Sequence, residues 1–333
     1  MKKRFRIPLK LISTLIIIIL MFLIPTLHPD EYFLGVLIMS LLWIYLASSW
    51  NIIGGYGGQL SFGHAAFYGI GAYTSTILFM AFGVTPWVGM FAGGILSALV
   101  GMTIGVPSFR LRGPFYALTM LATAEIFKLV FLRFKDVTGG ARGLLLPVRP
   151  GLIEFQFVGT TYYYYIILSM VIIIIAATYK LENSNFGLYL MSIREDEDAA
   201  ETLGIDAFKC KLKAAAISSF FTALGGTFYA QYIGYFSPHT IMTLDVSEAM
   251  VVMTIVGGAG TIFGPVIGAG LLTPVQYILT AYLGGTYAGA NLIVNGAILI
   301  VVVLFLPMGL YGSIKGRIVR MSIFRKEIGR GFD

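Results

Sequence analysis

The feature that most restricts the fold of this chain is a succession of long apolar stretches separated by short polar segments. A helix of about 20 apolar residues is long enough to cross the hydrocarbon layer of a bilayer. The sequence therefore predicts an all-α polytopic membrane protein with about ten transmembrane helices. The predicted spans are residues 11–27, 33–53, 62–82, 86–106, 114–132, 161–179, 213–236, the short stretch 246–257, 263–283 and 290–306.

The composition agrees with membrane insertion and excludes a soluble fold. Hydrophobic residues make up 57% of the 333 residues and charged residues 12%, whereas a soluble domain carries about 25% charged residues. We attribute the net charge of +7 to basic loops on the cytoplasmic side and expect no nucleic-acid partner. The single cysteine, Cys210, excludes an intrachain disulfide and a multi-cysteine metal site, and we expect no metal.

The distribution of basic residues orients the chain. The basic N-terminus and the first apolar run could form a signal peptide, but no small-residue cleavage site follows, so we interpret 11–27 as a retained helix. Placing both termini in the cytoplasm puts 18 of the 23 Lys and Arg residues on that side and four on the other. This is the asymmetry of the positive-inside rule. The sequence therefore predicts a multi-pass protein of the plasma or inner membrane with both termini cytoplasmic.

Three polar segments stand out within what we interpret as a single transmembrane domain, residues 1–333. An external loop covers about 133–160, a cytoplasmic loop about 180–213, and a basic cytoplasmic tail about 310–333. The cytoplasmic loop is too polar to enter the membrane. These loops are long enough to bind other proteins.

The cytoplasmic loop contains the sequence REDEDAAETLG, residues 194–204. Good helix formers followed by Gly204 predict a short helix that ends at this glycine. The acidic residues at 195–198 fall in its predicted first turn, where they are favourable for the helix dipole. Ala199, Ala200 and Leu203 form a small apolar face. The residues alone leave two interpretations open, a helix that docks on a partner and a solvated connector.

Together with the KLKAAAISSFFTALGGTFYA that follows, this loop resembles the permease loop of ATP-binding-cassette importers. The "EAA…G" motif of that loop matches Glu197, Ala199, Ala200 and Gly204. Four further segments resemble permeases of branched-chain amino acid importers, and the M-type subunit more closely than the shorter H-type. They are GGQLSFGHAAFYGIGAYT (57–74), RLRGPFYALTMLATAEIFKLV (110–130), TGGARGL (138–144) and GGAGTIFGPVIGA (257–269).

The resemblance, over about residues 30–310, implies the permease fold of these importers and the transport of leucine, isoleucine and valine. It also implies four kinds of partner: a second related permease, two ATP-binding subunits, an external substrate-binding protein and the bilayer. No phosphate-binding G-x-x-x-x-G-K-[ST] motif occurs in this chain. We therefore expect no enzyme activity and no cofactor on it, with ATP and Mg²⁺ on the partners. The residues implied to contact the ATPase are Arg194, Glu195, Asp196, Glu197, Ala199, Ala200, Leu203 and Gly204.

Polar residues inside predicted spans are candidates for the translocation pathway or a gate. Glu125 and Lys128 lie three residues apart, so one helix face carries both, and intramembrane charges are costly enough to indicate function. A neutralising pair that fixes helix packing is the structural alternative. The weaker pathway candidates, each of which is explained more simply by an interhelical hydrogen bond, are Asn51, Ser61, His64 and Gln231, with Asn291 and Asn295.

Turn-forming and charged residues on the predicted external side are candidates for docking the binding protein, although plain surface turns would have the same composition. These candidates are Thr138, Gly139, Gly140, Arg142, Asp245 and Glu248.

Three other functions are weighed against the branched-chain amino acid permease. Related importers carry urea or short amides, and the permease sequence alone does not fix the solute. An ion-coupled secondary transporter would use Glu125 as its ion site and need no ATPase. An intramembrane enzyme acting on lipid would need a clustered acid/base or metal site, for which three scattered histidines are a poor basis.

Overall fold

The computed structural model describes residues 20–27, 30–283, 296 and 309–312. A 3-10 helix, Ile24–Leu27, follows helical residues 20–23. The longer helices are α1 Glu31–Asn51, α2 His64–Phe82, α3 Pro86–Ser108, α4 Pro114–Arg133, α6 Thr160–Glu182, α7 Asn185–Glu195, α9 Ala207–Ile233, α11 Leu244–Gly257 and α12 Gly264–Leu283. The short helices are α5 Lys135–Thr138, the 3-10 turn Gly140–Arg142, α8 Glu197–Thr202 and α10 Pro238–Ile241.

Two short strands join the loop after α4 to the end of α9. Strand β1, Leu144–Leu145, pairs antiparallel with β2, Tyr235–Phe236. Leu144 lies opposite Phe236 and Leu145 opposite Tyr235. The pairing ties the predicted external loop to the helix that follows the cytoplasmic loop.

Six helical segments of the described residues are long and apolar enough to cross a membrane: Glu31–Tyr56, His64–Phe82, Pro86–Ser108, Pro114–Arg133, Thr160–Glu182 and Pro238–Gly257. They fall on six of the ten predicted spans. Helices α9 and α12 coincide with two more, over Ala207–Ile233 and Gly264–Leu283. Predicted span 11–27 is described only from residue 20. Span 290–306, the tail 310–333, Asn291 and Asn295 lie outside the described residues, apart from 296 and 310–312.

The short predicted span at 246–257 has a structural explanation. Helix α11 has only 14 residues, about 21 Å at 1.5 Å per residue, which is less than the thickness of a bilayer core. Helix α10 precedes it, and the segment Pro238–Gly257 reaches 20 residues. The span is therefore built from two helices in sequence.

Helix α9 lies at the centre of the packing and contacts α2 and α3 most extensively. Glycines make this close approach possible: a Cβ on Gly71 would collide with the backbone of Ala223, and one on Gly226 with the backbone of Tyr68. Lipid gives no hydrophobic drive for helices to associate, so close packing of small residues replaces it. The glycines of these helices are therefore packing positions.

The end of α1 that we predict to be cytoplasmic departs from an α-helix. Residues Ile52–Tyr56 continue α1 as a π-helix, a wider turn that often occurs at functional sites. The Tyr56 hydroxyl donates a hydrogen bond to Glu182 Oε2 at 2.8 Å, which joins this segment to the end of α6. The π-helical segment is thus held by a neighbouring helix end.

Loops that the sequence assigns to the same side of the membrane contact one another. At one end of the molecule, the Trp87 indole donates to the Leu152 carbonyl and the Tyr164 hydroxyl to the Met21 carbonyl, each at 2.8 Å. At the other end, Arg194 of α7 binds the backbone of the segment that follows α1. Each of these contacts joins segments that the predicted topology places on the same side.

Candidate functional site

The predicted helix over 194–204 is interrupted at Asp196. This residue is extended (φ −157°) and its Oδ1 accepts a hydrogen bond from the Ala199 N–H at 3.0 Å, so it caps a new helix, α8. The expectation of one helix with residues 195–198 in its first turn is therefore wrong. Glu195 ends α7, and only Glu197 and Asp198 lie in the first turn of α8. Gly204, with φ +86°, follows the helix end as predicted.

The predicted apolar face of this helix is divided between the interior and the solvent. Ala200 is buried with Ile193 and Ala207 in a small cluster that fixes α8 against α7 and α9. Ala199 is exposed, and Leu203 is 81% exposed. The prediction of a single apolar face that combines Ala200 with Leu203 is therefore wrong. Of the three residues of that predicted face, only Leu203 offers a large apolar side chain to a partner.

A buried ion pair joins α8 to α9. The Lys211 ammonium lies 2.5 Å from Glu197 Oε2, and the two side chains are 2% and 22% exposed. A lysine this buried requires a paired charge. Lys211 therefore fixes Glu197, one of the predicted coupling residues, to the first turns of α9.

Arg194 joins α7 to the π-helical segment. Its Nη1 donates to the Gly55 carbonyl at 2.8 Å, and its side chain packs on Gly58 and Gly260, where a Cβ would collide with it. The side chain therefore lies where the end of α1 meets the glycine-rich loop after α11. A movement of α7 would reach both elements through this one residue.

An exposed ion pair connects α8 to the loop before α4. Arg112 Nη2 lies 2.8 Å from Asp198 Oδ1, and a second hydrogen bond makes the contact bidentate. The guanidinium holds the pKa of the Asp198 carboxyl below its usual range. Because both side chains are mostly exposed, this pair contributes little stability.

Both the oxygen and the nitrogen of the Asn51 side-chain amide form hydrogen bonds with the glycine-rich loop. Its Oδ1 accepts from the Gly260 N–H at 2.8 Å, and its Nδ2 donates to the Thr261 carbonyl at 3.0 Å. Asn51 is fully buried. Its observed contacts connect the end of α1 with the loop between α11 and α12.

Ser61 and His64 form a buried chain of hydrogen bonds at the start of α2. The two imidazole nitrogens lie 3.1 Å from Ser61 Oγ and 2.8 Å from Ser218 Oγ, and Ser218 Oγ donates to the Ser49 carbonyl at 2.7 Å. The void beside Ser61 and His64 measures about 10 Å³, which is no more than one water needs. The chain joins α1, α2 and α9.

Gln231 differs from the other pathway candidates because its buried side chain forms no hydrogen bond with the described residues. It is buried near the end of α9, and its side-chain amide has no hydrogen-bond partner among the described residues. Its backbone carbonyl accepts from the Tyr163 hydroxyl at 3.2 Å. An unsatisfied buried amide is costly.

Glu125 and Lys128 form the ion pair that their spacing predicts, with Lys128 Nζ 2.5 Å from Glu125 Oε1. Lys128 is 18% exposed, whereas Glu125 is 48% exposed. Helix α4 that carries them is the least buried of the six candidate spans. Glu125 therefore lies on a face of α4 that the described residues leave uncovered.

The candidates on the predicted external side lie around a compact turn. Thr138 Oγ1 accepts from the Gly140 N–H at 3.2 Å and donates to the Phe134 carbonyl at 2.8 Å. Gly139 and Gly140 have φ +71° and +56°, values that glycine adopts without strain. The Arg142 carbonyl accepts from the Tyr235 hydroxyl at 3.0 Å. Asp245 and Glu248 are exposed near the start of α11.

The comparison with known protein families shows which family this chain belongs to. Residues 32–303 match the family described as the permease component of branched-chain amino acid transport systems. The chain belongs to this permease family. It is a multi-pass membrane protein, in agreement with the six apolar helices of the described residues.

Several curated relatives are permease proteins. The chain is 26% identical over 297 residues to the high-affinity branched-chain amino acid transport system permease protein LivM of Salmonella typhimurium, over 82% of this chain and 68% of that protein. It is 26% identical over 288 residues to LivH of Escherichia coli, over 80% and 90%. It is 29% identical over 202 residues to the nucleoside ABC transporter permease protein NupC of Lactococcus lactis, over 56% and 63%. No solved structure matches significantly.

Sequence reasoning on this permease missed the role of Lys211, which was counted among the basic cytoplasmic residues. Its burial depends on where α8 folds back against α9, and no local spacing relates it to Glu197, 14 positions away. The available signal was a lysine flanked by apolar residues at the start of a predicted span.

Proposed function

We propose that this chain is a permease subunit of an ATP-binding-cassette importer that carries branched-chain amino acids. Its partners would be a second, related permease, two ATP-binding subunits and an external substrate-binding protein. ATP and Mg²⁺ would bind to the partner ATPases, and this chain would not be an enzyme. The observation that carries the proposal is the family match over residues 32–303, and the relatives LivM and LivH support it.

The topology proposed for this function has ten spans and both termini in the cytoplasm. The excess of Lys and Arg on the predicted cytoplasmic side, 18 against four, supports this orientation. Leu203 and Val148, 81% and 86% exposed, allow a direct test in a Cys210→Ser background. In right-side-out vesicles, an impermeant maleimide should label Val148→Cys and spare Leu203→Cys. In inverted vesicles the pattern should reverse, and labelling of both from one side would contradict the topology.

Helix α8 is proposed as the coupling helix that contacts the ATPase. The exposed Leu203 supports a docking role, while Arg194 and Lys211 connect α7 and α8 to the membrane helices. Ala200 is a poor position for testing the contact because its replacement would break the cluster that holds α8. Leu203→Glu should instead remove the ATPases from the purified complex without disturbing this cluster.

The first experiment purifies the tagged chain from its host under mild conditions and identifies the co-purifying proteins. The wild type should recover a second permease and ATPase subunits, and Leu203→Glu should lose the ATPases. Val148→Glu, an equally exposed apolar position on the opposite side, is the matched control and should retain them. Recovery of the chain alone, with uptake driven by a proton gradient and independent of ATP, would refute the importer proposal.

Uptake measurements in the reconstituted complex decide the solute. Leucine, isoleucine and valine should compete with one another, and urea and a nucleoside should not. The nucleoside belongs in this set because NupC, a relative over 56% of the chain, is named for nucleoside transport. Preferential uptake of urea or of a nucleoside would leave the importer proposal intact and change its substrate.

The uncovered face of α4 is proposed to lie against the second permease or the pathway between the two chains. A charged side chain near the bilayer centre costs about 2.5–3.5 kcal/mol or more when it faces lipid. Glu125 pairs with Lys128 but is still 48% exposed, so a polar neighbour outside the described part of this chain would lower the cost of its charge. Gln231 is the other proposed pathway residue, because its buried amide lacks a partner among the described residues.

Arg142, Asp245 and Glu248 are proposed to meet the substrate-binding protein on the external side. Their exposure supports this role, and the turn around Thr138 gives the surface a fixed shape. A double charge reversal at Asp245 and Glu248 should weaken stimulation of ATP hydrolysis by the loaded binding protein. Unchanged stimulation would exclude these two residues from the contact.

A further inference from the structure

A cavity of about 370 Å³ lies among α1, α2, α9, α10, α11 and α12. This volume is within the range of small-molecule sites. Four aromatic side chains contribute to its wall: Trp43, Tyr68, Tyr229 and Tyr277. The remaining described residues of the wall are aliphatic, hydroxyl or amide side chains, and none of them carries a charge.

The cavity is placed to receive a solute from the predicted external side. Thr240 and Thr280, which line it, are exposed. In the predicted topology Thr240 follows the external end of span 213–236, and Thr280 lies three residues before the external end of span 263–283. Leu42 and Tyr68 are buried and form the deeper wall. The wall residues nearest the predicted outside are therefore exposed, and the deep ones are buried.

The cavity is distinct from the polar residues that the sequence singled out for the pathway. The void beside Ser61 and His64 holds about 10 Å³, and Asn51 is fully occupied by the loop after α11. None of the three lines the larger cavity. Asn51, Ser61 and His64 therefore leave no room for a solute beside them, whereas the aromatic cavity does.

The chemistry of the wall selects against ions and favours a compact zwitterion. Burying a net charge without a compensating charge is costly, and the described wall offers none. Aromatic faces bind an ammonium group through cation–π contacts and pack well on aliphatic side chains. The Tyr68 and Tyr229 rings, with centroids 5.6 Å apart, supply such faces beside hydroxyl groups that can donate to a carboxylate.

We propose that this cavity is an outward-opening binding site for a small zwitterionic solute with an apolar side chain. The inference rests on the proposed function and goes beyond it, since it places a solute site inside this one chain. The solute would dock between the aromatic rings and the aliphatic wall after its release from the binding protein. A cationic or anionic amino acid would be rejected at this point.

Photo-crosslinking of the complete importer in nanodiscs tests the location. The probe is a diazirine analogue of leucine, irradiated with the assembled complex and mapped by mass spectrometry. Adducts are expected on the wall residues of α1, α2, α9, α10, α11 and α12, suppressed by excess leucine and unaffected by excess lysine or glutamate. Adducts confined to other helices, or insensitive to leucine as for a lipid-filled cavity, would overturn the proposal.

A cavity-filling variant tests the use of the site in transport. Val246 of α11 lines the cavity, so Val246→Trp should reduce leucine uptake at least about tenfold, equivalent to about 1.4 kcal/mol. Ile255→Trp on the same helix, at an exposed position outside the wall, is the matched control and should stay within about twofold of the wild type. Assembly and basal ATP hydrolysis are measured for both variants, and Val246→Ala provides a milder change that should admit a larger side chain such as phenylalanine.

The outcomes separate the two proposals. If the wild-type complex takes up no branched-chain amino acid, the proposed function fails and the crosslinking result then decides the cavity by itself. If the wild type transports leucine and the assembled Val246→Trp complex transports it equally well, the cavity proposal alone fails.

Discussion

The ion pair between Glu197 and Lys211 gives a prediction whose magnitude follows from the burial of its two partners. Glu197→Gln leaves the ammonium of Lys211, 2% exposed, without a counter-charge. Breaking a buried pair in this way costs about 3–5 kcal/mol. Because the Glu197 side chain is 22% exposed and water reaches the site from that side, we expect about 3 kcal/mol, the lower end of that range.

The reverse change should be much milder. Lys211→Met removes the buried charge, and the remaining carboxylate of Glu197 reaches solvent, so the loss should be about 1 kcal/mol. The double variant buries no charge at all and should lie close to the wild type. The predicted order of stability is therefore the double variant first, then Lys211→Met, then Glu197→Gln.

Hydrogen exchange over residues 197–204 measures this directly, because the pair holds α8 against α9 and its loss should appear as local opening. A loss of 3 kcal/mol accelerates exchange about a hundredfold, or to the unprotected rate if less protection is present. Asp198→Asn is the matched control, since it removes the neighbouring carboxylate from a pair that is mostly exposed. Equal effects of Glu197→Gln and Asp198→Asn on exchange would refute the reasoning. So would a double variant whose loss of stability equals the sum of the losses in Glu197→Gln and Lys211→Met.

Three further predictions concern backbone and surface positions. Gly226→Ala should destabilise the α2–α9 contact by about 1–3 kcal/mol through overpacking, as measured by thermal unfolding in detergent. Gly270→Ala is the control and should be neutral, because its Cβ would meet only a side-chain carbon at 3.6 Å. Gly204→Ala, forced into a left-handed conformation at φ +86°, should cost about 1 kcal/mol and increase exchange in α8, and an unchanged exchange rate would contradict this. Arg112 lowers the pKa of the Asp198 carboxyl, so their pair stabilises α8 at pH values above the ordinary carboxyl pKa, and this stabilisation is lost as the pH falls through the lowered pKa. Arg112→Gln should therefore have a small effect on hydrogen exchange in α8 at pH 7. The effect should vanish in strong acid or high salt.

The membrane spans could be predicted because their signal is local. A run of about 20 apolar residues in a bilayer folds as a helix, since only a helix satisfies the backbone hydrogen bonds within one segment, without neighbouring strands. Six predicted spans coincide with candidate spans of the structure. The helix end at Gly204 was also local, because glycine adopts φ +86° without strain. The family was visible in motifs spread over most of the chain and was confirmed by the match to residues 32–303.

The break at Asp196 lay within reach of the sequence but was outweighed by helix propensity. An aspartate three residues before Ala199 can cap a helix as well as continue one, and the choice depends on the fold around it. Because Ile193 and Ala207 pack on Ala200, α8 has to turn away from α7. The apolar face predicted for Ala200 and Leu203 was wrong for the same reason.

By itself, the sequence determined that this chain crosses the membrane many times, where the six candidate spans of the described residues lie and which permease family it belongs to. Only the tertiary structure decided that Lys211 is buried against Glu197, which partners Asn51 and His64 bind, and that an aromatic cavity lies elsewhere, with no charge among the described residues of its wall. Apolarity and helix ends are properties of neighbouring residues along the chain. Burial, pairing and cavities are properties of segments far apart in sequence, and they arise only when several helices pack together.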